Sequence, residues 1–288
     1  MPQISYRIDP ISATVLKVTP LFGTNELGSA TAFSITWEGQ HYLVTNWHVV
    51  AGRNPDTNEC LDKNLSIPNK LLVSFHSSAS LGIWKIIVID LLDLEGQPVW
   101  IEHPLGSMID VVVIPLLELN DIKIYPLDLS LADFDMVPMP AMPISIIGYP
   151  LGLTAGESWP IWKTGHIASD PDIDFQPGRP AFLIDATTRS GMSGSPAILR
   201  QDSYMKKSGD QILASGLATK FMGIYSGRIH KDSEIGRVWR PFVLKEILSG
   251  RLIFDQESRR PLPRRIDKCP CHSSKRFKHC CGKLYSQF

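Results

Sequence analysis

The sequence predicts an all-β protein, a sandwich or a pair of barrels closed by one terminal helix. Three observations lead there. Short apolar and β-branched stretches follow one another along the chain: "SATAFSITW", "HYLVTN", "LLVSFH", "WKIIVID", "DVVVIPL", "ISIIGYP", "TGHIAS", "AFLIDA", "SPAIL" and "FMGIYSG". Gly, Pro and Asn punctuate them, as turns between strands require. Helical periodicity is nearly absent, the exception being "PFVLKEILSG" at 241–250.

Taken in order, "SATAFSITW" and "HYLVTN" flank "EGQ" like the arms of a hairpin. "VTNWHVV" is expected to end a strand at His48, and "SMIDVVVIPL" to open one at Asp110. A segment rich in Pro, Asp and Met falls near 118–142 and divides the strands into two halves of similar size. In 241–250, Phe242, Leu244, Ile247 and Leu248 form an apolar stripe, Pro241 suits a helix start and Gly250 its end. Residues 1–254 are therefore expected to form the folded body, 255–268 ("DQESRRPLPRRIDK") a basic linker, and 269–288 a separate small unit.

With 288 residues, 43% of them apolar and 20% charged, the chain has enough interior for one large or two smaller globular units. No stretch approaches the roughly 18 apolar residues of a membrane span, and the start lacks a signal-peptide core. Cys60 is the one cysteine before residue 269, which excludes a disulfide framework in the body and suits a reducing cytoplasm. The net charge of zero is a sum of unequal parts. Nine of the 29 basic residues but one of the 29 acidic ones fall within 259–283, leaving 20 basic against 28 acidic elsewhere. A basic tail on an acidic body suits a protein partner and leaves acidic lipid open as a contact. Nucleic acid fits less well, because the tail has no aromatic stacking platform.

Three strings supply the parts of an acyl-transfer site: His48 in "VTNWHVV", Asp110 in "SMIDVVVIPL" and Ser193 in "SGMSGSP". A serine hydroxyl becomes a nucleophile when an imidazole takes its proton, and the imidazole needs a carboxylate to fix its tautomer. In those roles Ser193 attacks, His48 is base and then acid, and Asp110 orients it. The glycines beside Ser193 let the amides of Gly191 and Ser193 form an oxyanion hole. The plain alternatives are a core histidine, a strand-edge aspartate and a turn serine. Their joint occurrence in the order His, Asp, Ser weighs against those.

These strings resemble the chymotrypsin-fold serine peptidases, in particular the bacterial trypsin-like branch related to the HtrA proteases. "VTNWHVV" is similar to the histidine motif, "IDVVVIPL" to the aspartate motif and "GMSGSP" to the nucleophile motif; "IGYPLG", "TGHIAS" and "GIYSG" are similar to the second barrel. The resemblance covers roughly 12–250. It implies two six-stranded antiparallel β-barrels with a C-terminal helix, and peptide-bond hydrolysis in a cleft between them on protein or peptide substrates. No cofactor serves that catalysis. It also places Thr187, Ser226, Gly227 and Arg228 around a specificity pocket without an evident carboxylate at its base, although Asp185 is near in sequence. The chain departs from the family in having no activation-type start, alanines in "GSATAF", and Met192 before the serine. A folded but inert peptidase relative, recruited for binding through its tail, is the alternative.

The last unit contains "CPCHSSKRFKHCCG". Four thiolates so close suit tetrahedral structural zinc, which fills its sphere with Cys or His and leaves no position open. So short a peptide would draw its folding energy from the metal. The string resembles the SEC-C motif found on the bacterial translocation ATPase and appended to other bacterial proteins, with His272 in place of a glycine. The resemblance implies Cys269, Cys271, Cys280 and Cys281 as Zn2+ ligands and a protein partner for the tail. His272 or His279 as a substitute ligand, and disulfides in an oxidised preparation, stay open beside it.

Overall fold

A computed structural model describes residues 7–117, 119–230, 232–252 and 275–276. The expected linker 255–268 and the four tail cysteines lie outside the described residues. The chain is mostly β with few helices, and no helix among the described residues is long and apolar enough to cross a membrane.

The first half contains β1 (Val15–Phe22), β2 (Asn25–Glu26), β3 (Ala30–Trp37), β4 (Gln40–Thr45), β5 (Lys70–Ser77), β6 (Trp84–Asp90), β7 (Ile101–Glu102), β8 (Val112–Pro115) and β9 (Ile122–Lys123). They form one antiparallel sheet in the order β6-β5-β1-β3-β4-β8-β7, with β2 beside β1 and β9 beside β5. Where the resemblance implies a closed six-stranded barrel, this path is open. Its ends approach through the Val99 amide on the Leu91 carbonyl (3.1 Å) and a Leu92/Pro98 bridge. A proline and a two-residue β7 leave too few donors there for a continuous ladder.

The second half contains β10 (Pro143–Gly148), β11 (Ile161–Ile167), β12 (Ala181–Asp185), β13 (Pro196–Met205), β14 (Gln211–Arg228) and β15 (Ile235–Trp239). These close into a six-stranded barrel, β10-β11-β12-β15-β14-β13. Closure removes both sheet edges.

Three α-helices, α1 (Pro10–Thr14), α2 (Trp47–Ala51) and α3 (Phe242–Ser249), and three short 3-10 turns complete the described residues. α3 lies where the apolar stripe places it, and Gly250 ends it in the left-handed region at φ 64°. α2 corrects an expectation. The strand β4 stops at Thr45, and His48 sits on a helical turn closed by Gly52 at φ 63°, whose amide reaches the His48 carbonyl. Five residues are too few for periodicity to reveal.

Besides the two-residue β2, β7 and β9, two longer strands escape the apolar pattern. β1 contains Lys17 and Pro20; Lys17 reaches out to the Gly152 carbonyl (2.8 Å), and Pro20 lies past the Val15–Val18 stretch paired to β3. In β15, Gly236 breaks the pattern because the Tyr225 ring occupies the space of any Cβ there.

Alternation explains the unbroken run "DVVVIPL". Val112 and Ile114 face one core with Leu43, Leu71, Val73 and Phe75, whereas Val111 and Val113 face another. That second core joins the halves: Phe33 and Val44 from the sheet, Ile147, Phe221 and Trp239 from the barrel, and Val243 and Ile247 from α3. A strand buried on both faces has no polar side to show.

Polar links reinforce the apolar join. Arg200 of β13 makes two bonds to Asp9 (2.6 and 2.9 Å), and Arg179 and Arg237 both reach Asp56 in the loop after α2. Burial alone would raise the Asp56 carboxyl, but the two guanidiniums hold it below the usual range.

His76 of β5 is buried at 1% exposure against Trp84, Trp159 and Tyr125, with Nε2 on the Ala13 carbonyl and Nδ1 without a hydrogen-bond partner among the described residues. Burial pushes it down to about 4, offset only in part by the Ala13 bond. An unfolded imidazole titrates near 6.5. Between those values the unfolded chain takes a proton that the folded one refuses, so stability falls as pH drops from about 6.5 to about 4, by up to about 3 kcal/mol. Urea unfolding of wild type and His76→Leu at several pH values checks this: the variant should lack that part of the slope.

Candidate active site

Asp110 precedes β8 by two residues and is 1% exposed. A buried carboxylate requires donors, and three arrive. Its Oδ1 accepts the His48 amide (2.9 Å), and its Oδ2 accepts His48 Nδ1 (2.7 Å) and the Ser226 hydroxyl (3.0 Å). With Nδ1 donating to a carboxylate, His48 is held in the tautomer that leaves Nε2 as acceptor. The Asn46 side-chain amide donates to the Asp110 carbonyl (2.6 Å), fixing the backbone beneath it.

Ser226 was expected along a pocket wall. Its hydroxyl turns to Asp110, and the register of β14 against β15 explains why. Tyr225 pairs with Val238 and Gly227 with Arg237, so Ser226 is the extra residue of a bulge, and a bulge re-aims its side chain. Tyr225 itself is clamped three ways. Its carbonyl accepts the Gly194 amide (2.9 Å), its amide donates to the Ser195 carbonyl (2.8 Å), and its hydroxyl meets Thr188. Burial pushes the Tyr225 phenol up to about 12, the Thr188 bond opposing.

Ser193 lies in the turn before β13 and is half-buried. The first-half strand β3 grips this turn: the Thr31 amide donates to the Ser193 carbonyl (2.9 Å) and its hydroxyl to the Gly191 carbonyl (2.8 Å). Thr45 of β4 in turn holds the Thr31 carbonyl (2.9 Å). The turn needs glycine at two places. Gly191 has φ 95° and Gly194 φ 87°, and a Cβ on either would strike backbone oxygen, of Tyr149 and Thr31 respectively.

The same contacts aim the amides. The Leu151 amide holds the Ser190 carbonyl (2.6 Å), and the Ser195 amide holds the Met192 carbonyl (3.1 Å). In a trans peptide the N–H points opposite its carbonyl. The Gly191 and Ser193 amides are thereby turned away from these partners, and neither donates to another group among the described residues. The Ser193 hydroxyl and His48 Nε2 likewise have no hydrogen bond among the described residues.

Residues 30–204 match the trypsin-like peptidase domain family, well over half of the chain. The chain belongs to that family. No curated protein matches this family member by sequence. Among solved structures, it is similar to the Rv3671c protease of M. tuberculosis in its active form, at 20% identity and TM-score 0.45 over 83% of this chain and 81% of that one. It is also similar to the HtrA-type protease AlgW with a tripeptide (15%, TM-score 0.48, 83% and 60%) and a serine endoprotease from Yersinia pestis (15%, TM-score 0.45, 86% and 70%).

Thr187 is exposed ahead of the nucleophile turn, Gly227 ends the bulge, and Arg228 faces Glu234 at 4.0 Å, which Arg189 also contacts at 3.1 Å. Thr31, Asn46 and Tyr225 were not singled out from the sequence, because their roles rest on contacts with residues remote along the chain. His103 belongs with them. Its Nδ1 accepts the Leu105 amide (3.1 Å) and its Nε2 donates to Glu246 of α3 (2.7 Å), so the helix props the loop leading to Asp110.

Gly194→Ala should cost well over 1 kcal/mol of unfolding free energy, combining a positive φ with a backbone collision. Gly96→Ala, also at positive φ but open to solvent, should cost about 1 kcal/mol, and chemical denaturation of both variants makes the comparison.

Proposed function

We propose that this trypsin-like peptidase is a serine endopeptidase that cleaves protein or peptide substrates through an acyl-enzyme. The observation that carries the reading is the buried Asp110 carboxylate holding both the ring and the amide of His48. His48 Nε2 takes the Ser193 proton as the hydroxyl attacks the scissile carbonyl, and the imidazolium formed is stabilised by Asp110. The amides of Gly191 and Ser193 receive the developing oxyanion. The proton then passes to the leaving amine, and water repeats the sequence to release the acyl group. The hydrogen bond from the Ser193 hydroxyl to His48 Nε2 forms as substrate enters, since catalytic bonds of this kind are often long or absent in empty sites. The first-half sheet stands for the family's first barrel, with the site between it and the closed barrel.

The tail completes the reading. The donor set of Cys269, Cys271, Cys280 and Cys281 fits structural Zn2+, which would fold residues 269–288. This SEC-C-like unit docks the enzyme to a protein partner in the cytoplasm, where its thiols stay reduced. Thr187, Ser226, Gly227 and Arg228 border the substrate side chain before the scissile bond.

A fluorophosphonate probe should label the wild type, and Ser193→Ala should abolish labelling; unchanged labelling of that variant would remove Ser193 from the nucleophile's role. Metal analysis of the full chain should find about one zinc per molecule. Cys280→Ser retaining full zinc would overturn the ligand set.

A further inference from the structure

The first-half sheet ends on β6, and no strand pairs with the outer side of β6 among the described residues. β6 runs along β5 without a register shift. Just beyond its two ends the Ser77 amide donates to the Ile83 carbonyl (2.7 Å) and the Leu91 amide to the Asn69 carbonyl (2.9 Å). In an antiparallel ladder every second residue bonds to the neighbouring strand, so Lys85, Ile87 and Ile89 turn their backbone groups to β5. Trp84, Ile86, Val88 and Asp90 turn theirs outward, leaving a row of donors and acceptors along the edge.

Edges of this kind are normally blunted by a proline, a bulge or a free charge. β6 has no proline and no bulge, and both of its charges are paired within the chain. Lys85 is held by Asp121 (3.0 Å) and the Asn120 carbonyl (3.3 Å), and Asp90 by Lys70 of β5 (3.7 Å). Between them Ile86 and Val88, on one face of the strand, are 63% and 50% exposed. Leu81 and Ile83 before the strand and Leu92 and Leu94 after it are exposed as well. These six residues expose on the order of 600 Å2, most of the ~800 Å2 that each partner gives to a standard interface.

The chain's own basic segment 259–283 finds no unpaired carboxylate on β6, because Asp90 already faces Lys70. We propose that two copies of this chain associate through β6, the two strands pairing antiparallel into one continuous sheet. A twofold axis at Ile87 aligns all four outward residues, placing Ile86 beside the partner's Val88 and Trp84 beside the partner's Asp90. Apolar cross-strand pairs such as the first are stabilising. The same axis sets Asp90 and Asp93 of one copy against the stretch 77–84 of the other, which has no charged residue. A parallel pairing would instead oppose Asp90 to its own copy, and like charges directly opposite destabilise a sheet. Association of this kind does not depend on the peptidase reading and is measured without turnover.

Sedimentation of the full chain from about 1 to about 100 μM should show a monomer passing to a dimer. Amide hydrogen exchange across 84–90 should slow over the same range, as the outward amides find carbonyl partners. Val88→Lys sets an ammonium beside Ile86 on each side of the axis and should raise the dissociation constant at least about tenfold. Leu217→Lys, the same kind of change at an exposed apolar residue of β14, should leave it unaltered. A monomer at every concentration, exchange across 84–90 that is independent of concentration, or a Val88→Lys variant that associates as wild type does would each overturn the proposal. Val88 is half exposed, so its replacement leaves the fold intact.

Discussion

The burial of Asp110 constrains much of the surrounding structure. A carboxylate at 1% exposure demands hydrogen bonds, and this one collects them from distant parts of the chain: ring and amide of His48 on α2, and the hydroxyl of Ser226 on β14. Each donor imposes a local geometry. The His48 amide reaches the carboxylate because β4 gives way to a helical turn at Trp47. Ser226 reaches it because the barrel strand bulges. Leaving either group unmade would cost on the order of 1 to 3 kcal/mol or more for a charged site. A short helix and a local register shift are thus the backbone's response to one buried charge.

The nucleophile turn shows the complementary case, in which backbone groups rather than a charge set the geometry. Thr31 on the sheet holds the carbonyls of Gly191 and Ser193, and Tyr225 on the barrel holds the backbone of Gly194 and Ser195. The turn is stretched between the two halves. Its glycines are required by collisions with Tyr149 and Thr31, residues far away in sequence. The shared apolar core of Phe33, Val44, Ile147, Phe221 and Trp239 keeps those halves in register, and α3 seals it while propping the Asp110 loop through Glu246 and His103. A site divided between two bodies is only as well ordered as the interface joining them.

Much of this was legible from residue order. Strands such as "WKIIVID" and "AFLIDA" announce themselves by composition, because β-branched residues on a half-buried pleat need no help from distant neighbours. α3 announces itself by its stripe and its glycine. β1 and β15 do not, since Lys17, Pro20 and Gly236 are tolerated only by what lies across from them. Nor does the long β13 and β14 hairpin, whose outer half carries polar and exposed residues held by mutual pairing. The open path of the first sheet was equally hidden, because closure depends on where Leu91 and Val99 meet.

Sequence alone determined the chemistry on offer: which imidazole, carboxylate and hydroxyl sit in strings suited to acyl transfer, and that four thiols near the end suit a metal. Those are properties of side chains and spacing, and they survive without coordinates. Tertiary structure decided how the groups are aimed. The bulge that turns Ser226 to Asp110 and the grip of Thr31 on Gly191 and Ser193 both join residues remote in sequence. Directional bonds weaken steeply with angle and distance, so such arrangements exist only once packing has brought the partners together.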